Sequence, residues 1–459
     1  VSIALAGEAL PDHTAFKVAT YDSMGYDDVA CFVGRVLGVE SGQRISLFSI
    51  LSIVMRSQAK PKYAVFLLSM GCAVVFWLLF AGISTLVVDP YGIDGSPVFQ
   101  NFNVRKPHSY RHRVEAKMAR VRRLNVATLV LGNSRVDAGF DPKSLAWPRS
   151  LTPVFNLGIP NYKINSSIEL VEGNNRLVET SNIFLGIDYL DFISSVNCEL
   201  PPKVGVTEAA WWEAGIFIKT HFSLMAIVDS LRTIGAQRQP GSRHMTEDGF
   251  NPWDDIWESI NLEGQAVIFE QKNRENLKSY VARNTYCSRN TDAPEWLAIL
   301  RFLRKRALMG KKTFVFLHPY HADILASMSL TGHIDTFNQF KRSLAREISI
   351  ITRETGATIP LWDFAAMYPP NISPAPKKGE LGVASRWYWE AGHYRKSLGD
   401  KMLKRMLGAL DSDLQFGDLL IAKNFEDVIS RQTHLYDTYR TQHYDDVTRI
   451  ERLKALVSH

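Results

Sequence analysis

The stretch Val126-Ala127-Thr128-Leu129-Val130-Leu131-Gly132-Asn133-Ser134-Arg135 decides the fold class. Its apolar run, Val126–Leu131, stops at a glycine and carries no polar alternation, which is the pattern of a strand buried on both faces in a parallel sheet. A serine just past the carboxyl end of such a strand stands where open α/β sheets place their ligands. If a helix follows, its unpaired N–H groups face any negative charge that develops there. Ser134 would serve equally well as a helix cap with no chemistry attached. This segment by itself leaves both roles open.

Working outward, Val154–Leu157, Asn182–Ile187, Thr313–Leu317 and, more weakly, Thr358–Leu361 repeat the short buried-strand pattern. Helical segments are predicted between them at 163–179, 295–309 and 335–355. Strands alternating with helices imply an α/β domain, expected over 125–410, whose parallel sheet is flanked by helices. Residues 200–295 break the alternation and are predicted to form a mainly helical insertion. Residues 365–386 are rich in Pro, Gly and Lys and are expected to be a loop, and 411–459 an external, charged helical C-terminal tail. The linker 89–124 ends in a basic stretch, Arg105–Arg123, with Val114, Met118 and Val121 at helical spacing; it is expected to be a solvated helix face, with lipid headgroups or an anionic polymer as the alternative contact.

Near the amino end, Tyr63–Val88 contains no charged residue. As a helix rising about 1.5 Å per residue it exceeds the roughly 30 Å of a hydrocarbon core. Arg56, Lys60 and Lys62 precede it, and Asp89 and Asp94 follow. The positive-inside rule therefore predicts a cytoplasmic segment 1–62, a transmembrane helix 63–88 and an exported remainder. Within 1–62, the stretch 41–55 is apolar but too short to span. The chain begins with Val rather than Met, so whether residues 1–55 all belong to the natural product stays open.

With 46% hydrophobic and 22% charged residues, most of this 459-residue chain is expected to fold. The net charge of +6 is dispersed and gives no nucleic-acid signal. None of the four cysteines forms a CxxC pair, so no zinc site is supported. On the exported side, where disulfides persist, Cys198 and Cys287 are candidates for a bridge.

A second segment carries chemistry: Trp389-Glu390-Ala391-Gly392-His393-Tyr394. An imidazole can take a proton from a serine hydroxyl, and a carboxylate can orient that imidazole. Glu390 and His393 stand close enough to reach one site from a single turn. A surface pair is the plain alternative, and no further ligand cluster supports a metal. His318-Pro319-Tyr320-His321-Ala322-Asp323 follows the fourth strand and is expected to be a loop against the same sheet end rather than a metal site. Trp387 and Trp389 could stack on sugar rings or simply fill core.

Taken together, Gly132-Asn133-Ser134 and Glu390-Ala391-Gly392-His393 resemble the first and last motif blocks of the SGNH (GDSL-like) hydrolase superfamily. Asn156-Leu157-Gly158-Ile159-Pro160-Asn161 resembles the second block at Gly158. The resemblance covers roughly 125–195 and 310–410. It implies a flavodoxin-like parallel sheet, Ser134 as nucleophile, His393 as base and Glu390 as orienting acid. It also implies that Gly158 and Asn161 serve the oxyanion or substrate, and it calls for no cofactor. Two positions depart from the pattern. Glu390 stands where Asp is usual, and Gly186-Ile187-Asp188 puts Asp188 where an oxyanion-binding Asn is expected. An ionised Asp188 would repel an oxyanion, so it must be neutral, turned away or otherwise employed. Arg135 could hold a carboxylate or phosphate of an acceptor, or form a structural salt bridge.

A single span followed by such a domain is similar to proteins of polysaccharide O-acetylation and of teichoic acid D-alanyl transfer. That implies a bacterial cytoplasmic-membrane protein with a periplasmic or extracellular domain, a multi-span acyltransferase partner and a glycan substrate. The rival expectation is a non-catalytic scaffold of an envelope polysaccharide assembly.

Overall fold

The computed structural model describes residues 61–196, 198, 215–238, 245–291, 293–410, 412–413 and 415–457. The expectations for 1–60, including the apolar stretch 41–55, and for 200–214 lie outside the described residues. The chain divides into two compact units, Val1–Trp77 and Leu78–His459.

Helix α1 (Pro61–Val88) contains the apolar stretch Val65–Val88, whose 24 residues have a mean hydropathy of 2.3, long and apolar enough to cross a membrane. It is the one such helix among the described residues.

The second unit is built on a six-stranded sheet. Its strands are β1 (Thr128–Gly132), β2 (Val154–Gly158), β3 (Asn182–Ile187), β6 (Lys312–Leu317), β7 (Leu361–Asp363) and β10 (Asp418–Leu420), in the order β10-β7-β6-β3-β1-β2. All neighbours run parallel except β10, which pairs antiparallel with β7. Every residue of β1, β2 and β3 is buried, which explains why their sequences are continuous apolar runs without alternation. The chain leaves β1 for β2 at one edge and then returns to β3 on the other side of β1. The connections therefore diverge at the carboxyl ends of β1 and β3, and a crevice opens there.

Helix α2 (Arg113–Arg123) precedes β1, and the short helix α3 (Ser134–Gly139) follows it. Helices α4 (Ile164–Glu172), α5 (Asn175–Val178), α9 (Pro294–Leu308) and α11 (Ile334–Thr355) cover the sheet, α9 packing against both α4 and α11. Helix α11 shows why: Phe337, Phe340, Leu344, Ile348 and Ile351 recur every three or four residues and are all buried. Burying each such side chain contributes about 1.5–3 kcal/mol.

The insertion is mainly helical, with α6 (Leu224–Ala236), α7 (Ile256–Glu263) and α8 (Gln265–Ala282). Its strand β5 (Thr285–Tyr286) pairs with β4 (Ile193–Ser194), and Cys287 is bonded to Cys198. The insertion also blunts the outer edge of the sheet, where the Asn156 N–H donates to the Asp248 carbonyl at 2.9 Å.

Two expectations are corrected. The basic stretch before β1 is not a solvated face: Lys117 and Arg120 are buried, and Arg120 donates to the Thr246 and Met245 carbonyls of the insertion at 2.7 and 3.1 Å. Nor is 411–459 an external tail. It supplies β10, and helices α13 (Phe425–Gln442) and α14 (Tyr444–Val457) return over the domain. In α14, Ile450 and Leu453 bury against Leu277 and Ala326, and Arg449 meets Asp323 at 2.7 Å. Composition hid this, because the apolar residues of the tail are widely spaced.

Candidate active site

The chain leaves β1 through Gly132, whose φ of +154° few L-residues adopt, and a Cβ there would meet Val136 at 2.6 Å and the Gly186 carbonyl at 3.1 Å. Asn133 caps α3, its side-chain oxygen accepting from the Arg135 N–H at 3.0 Å. Ser134 is then the first residue of the helix, so its own N–H has no intrahelical acceptor.

The Ser134 Oγ lies 2.7 Å from His393 Nε2. His393 Nδ1 faces Glu390 Oε1, and Glu390 Oε2 accepts from the Gly392 N–H at 2.7 Å. Glu390 and His393 are opposite residues of a small hairpin, β8 (Tyr388–Glu390) and β9 (His393–Tyr394), turned by Ala391-Gly392. Gln265 of the insertion anchors β8, its amide donating to the Tyr388 and Trp389 carbonyls at 2.9 Å each. Burial pushes the Glu390 carboxyl up. The charge and hydrogen bond of His393, the Gly392 N–H and the charge of Arg135 outweigh it and hold the carboxyl below the usual range. Glu390 is thus an ionised, 1% exposed acid against an imidazole that opens on solvent.

A cavity of about 420 Å³ opens over this pair, lined among others by Ser134, His393, Asn161, Arg113, Asn251 and Trp253. The Trp253 ring stands 4.8 Å from that of His393. Two lining residues are backbone outliers, Asn161 at φ +63° and Trp253 at φ +57°, the kind of strain that collects at functional sites. A second cavity, about 390 Å³, is lined by Trp257, Trp389, Arg395 and Asp141 among others. A larger one, about 630 Å³, lies by β10 and α13 and holds none of these residues.

The other expected site residues fall differently. The Gly158 N–H donates to Asn156 Oδ1 at 2.9 Å and is therefore not free for an oxyanion. Gly158 is glycine because a Cβ would sit 2.4 Å from the Asp137 amide and 2.9 Å from the Asn133 carbonyl, preventing α3 from resting on β2. Asp188 does not face the cavity. It is 2% exposed, ion-paired with Arg135, and accepts from Tyr320 Oη at 2.7 Å, Asn133 Nδ2 at 2.7 Å and the Leu190 N–H at 3.1 Å. Arg135 is correspondingly a structural partner, 4% exposed, rather than a substrate clamp. Asn161 is the residue of this group that lines the cavity.

Trp389 is buried, its ring centroid 6.3 Å from that of Trp253, with the Arg395 guanidinium 4.3 Å from its centre. Arg386 and Lys401 stand over Trp387. The aromatic in the Ser134 cavity is therefore Trp253. His318 lies buried across Gly186 with Nδ1 3.2 Å from Tyr394 Oη. Burial, with Arg135 and His393 nearby, keeps it well below the usual imidazole value and hence neutral. His321 caps α10 (Ala322–Leu330) through the Asp323 N–H at 3.2 Å and meets the Ser373 carbonyl at 2.9 Å. Among the described residues no group of His, Cys, Asp and Glu is arranged to hold a metal.

Sequence reading missed an ionic layer beneath the helix of Ser134. Asp137 is gripped by Lys117 at 2.6 Å, Arg113 at 2.9 Å and Asn251 at 3.0 Å. Burial pushes the Lys117 ammonium down to about 8, against the pull of Asp137. One signal existed: an acid in the first turn after Ser134 fits a helix N-terminus. Nothing in the sequence pointed to its partners, which come from two separate segments, α2 and the insertion.

Comparison with protein-family models, curated proteins and solved structures gives no match for this chain.

Proposed function

We propose that this chain is a membrane-anchored enzyme of SGNH type, with a flavodoxin-like sheet, that transfers or hydrolyses acyl groups on an extracytoplasmic glycan. The observation that carries the reading is the contact of the Ser134 hydroxyl with His393 Nε2 at 2.7 Å, while Glu390 occupies the other ring nitrogen. Ser134 attacks the acyl carbonyl, and His393 takes its proton and later returns it to the leaving group. Glu390 holds the tautomer and stabilises the imidazolium. The Ser134 N–H at the start of α3 and Asn161 in the cavity are the donors assigned to the oxyanion. Asp188, neutralised by Arg135, does not oppose that charge.

By the charge asymmetry flanking α1, the domain lies on the outer side of a bacterial cytoplasmic membrane as a single-pass protein. A multi-span acyltransferase is the partner that would deliver acyl groups to Ser134. The test is labelling of the purified full chain by a fluorophosphonate probe. Labelling that disappears in Ser134→Ala and His393→Ala supports the enzyme. An unlabelled wild type, with Ser134→Ala indistinguishable from it in glycan acylation, would leave a non-catalytic scaffold as the function.

A further inference from the structure

Helix α6 (Leu224–Ala236) is built inside out. Its buried side carries Asp229, Ser230 and Thr233 beside Ala226, Ile227 and Ala236, while Leu224, Met225 and Leu231 are 66%, 51% and 66% exposed. In the helical turns at 215–221, Phe217 and Ile218 are 53% and 58% exposed, while Thr220 and His221 are buried. Asp229, Ser230, Thr220 and His221 have partners on this inward side, while the Thr233 hydroxyl has none. Asp229 accepts from Tyr91 Oη and from Arg111, both at 3.0 Å, and His221 Nε2 meets Asp94 at 3.0 Å. A helix that offers its polar side to the protein and its leucines outward is the reverse of α11, and water is the wrong solvent for it.

The place of these helices names the right one. The turns that lead into α6 meet the last turns of α1 through His221 and Phe222, where Ala81, Gly82, Thr85 and Val88 are buried and Ile83, Leu86 and Val87 are exposed. Thr85 Oγ1 donates to the His221 carbonyl at 3.1 Å, and the Phe222 ring lies 3.0 Å from where a Gly82 Cβ would be. Small residues on one face permit such close approach. Gly82 lies six residues before Val88, about 9 Å along the helix axis, so Phe222 packs within the apolar stretch rather than beyond it. Exposed Lys219 and Arg232 stand among the apolar residues, as suits anionic headgroups.

We propose that residues 215–236 are a lipid-embedded platform, seated in the outer leaflet beside α1, so that the domain is held by a surface as well as by a tether. The residues that grip Asp229 belong to the segment that leads into α2, whose first residue, Arg113, reaches Asp137 in the helix of Ser134. The platform is thus mechanically continuous with the candidate site. The inference rests on α1 crossing the membrane.

The experiment uses the full chain with Cys31→Ser and Cys72→Ser and the Cys198–Cys287 bond intact, reconstituted in phosphatidylcholine–phosphatidylglycerol vesicles that contain doxyl-labelled acyl chains. Single cysteines at Ile218→Cys, Leu224→Cys and Leu231→Cys carry an environment-sensitive fluorophore, with Val74→Cys as reference for the span and Leu410→Cys for water. The expected result is loss of fluorescence at 218, 224 and 231 approaching that at 74, with none at 410. Quenching at 74 alone would overturn the platform and leave the span standing. That holds whether the other three positions are reached by aqueous iodide or are shielded by a protein. No quenching at 74 would remove the span and the platform together.

Discussion

Glu390 and Asp188 are two carboxylates that follow strand ends around the same crevice, 1% and 2% exposed, with opposite duties. Glu390 has no cation in contact and spends its charge on an imidazole that opens on a cavity. Asp188 spends its charge on Arg135 and three neutral donors and shows nothing to the cavity. A buried carboxylate takes its role from its nearest cation. Replacing Glu390 should cost chemistry and spare the fold, whereas replacing Asp188 should cost the fold first.

The largest expected effect is on chemistry. Glu390→Gln keeps shape but loses the charge that stabilises the imidazolium, and should slow fluorophosphonate labelling by about 10⁴-fold. Glu390→Asp should recover part of it. A Glu390→Gln protein that labels at the wild-type rate would erase the distinction between the two acids.

Next comes stability. Asp188→Asn leaves buried Arg135 without a counter-charge and should cost about 3–5 kcal/mol in denaturant unfolding. Pairing Asp188→Leu with Arg135→Met should restore much of that loss, because two desolvated charges leave together. If Asp188→Asn instead abolished labelling in a fully stable protein, the acid would belong to the chemistry after all.

Asn161→Ala should lower the labelling rate by about 10²–10³-fold, the usual cost of one oxyanion donor. Because Asn161 is exposed, its removal should change stability by no more than about 0.5 kcal/mol. Unchanged labelling would return the oxyanion to backbone donors alone.

The smallest effect is on acid stability. Glu390 titrates below the ordinary carboxylate range in the folded chain. Its contribution is therefore complete above the unfolded value and fades as pH falls toward the folded one. Glu390→Gln should unfold less steeply with acid than wild type over that interval, read by circular dichroism. A steeper acid limb in the variant would contradict the direction of the shift.

Much of the frame was legible in the residues. Val126–Leu131, Asn182–Ile187 and Thr313–Leu317 lie within a residue or two of β1, β3 and β6, because a strand covered on both faces needs an unbroken apolar run. Helix α11 was legible for the matching reason, a one-sided period of 3.6. The 411–459 segment was misread because β10 has only three residues and its helices bury little apolar surface. Lys117 and Arg120 were misread because a basic helix looks solvated until an acid and several carbonyls are folded against it.

Local chemistry, written in the order of residues, determined the parallel sheet, the apolar helix near the amino end, and the serine, histidine and glutamate worth watching. Such signals act over a few positions and survive without neighbours. Only the tertiary structure decided that Ser134 meets His393, that Gly158's amide is occupied, that Asp188 belongs to Arg135, and that Trp253 and Asn251 of the insertion line the cavity. Those outcomes depend on which distant groups share a low-dielectric space, where one cation within hydrogen-bond reach outweighs any motif.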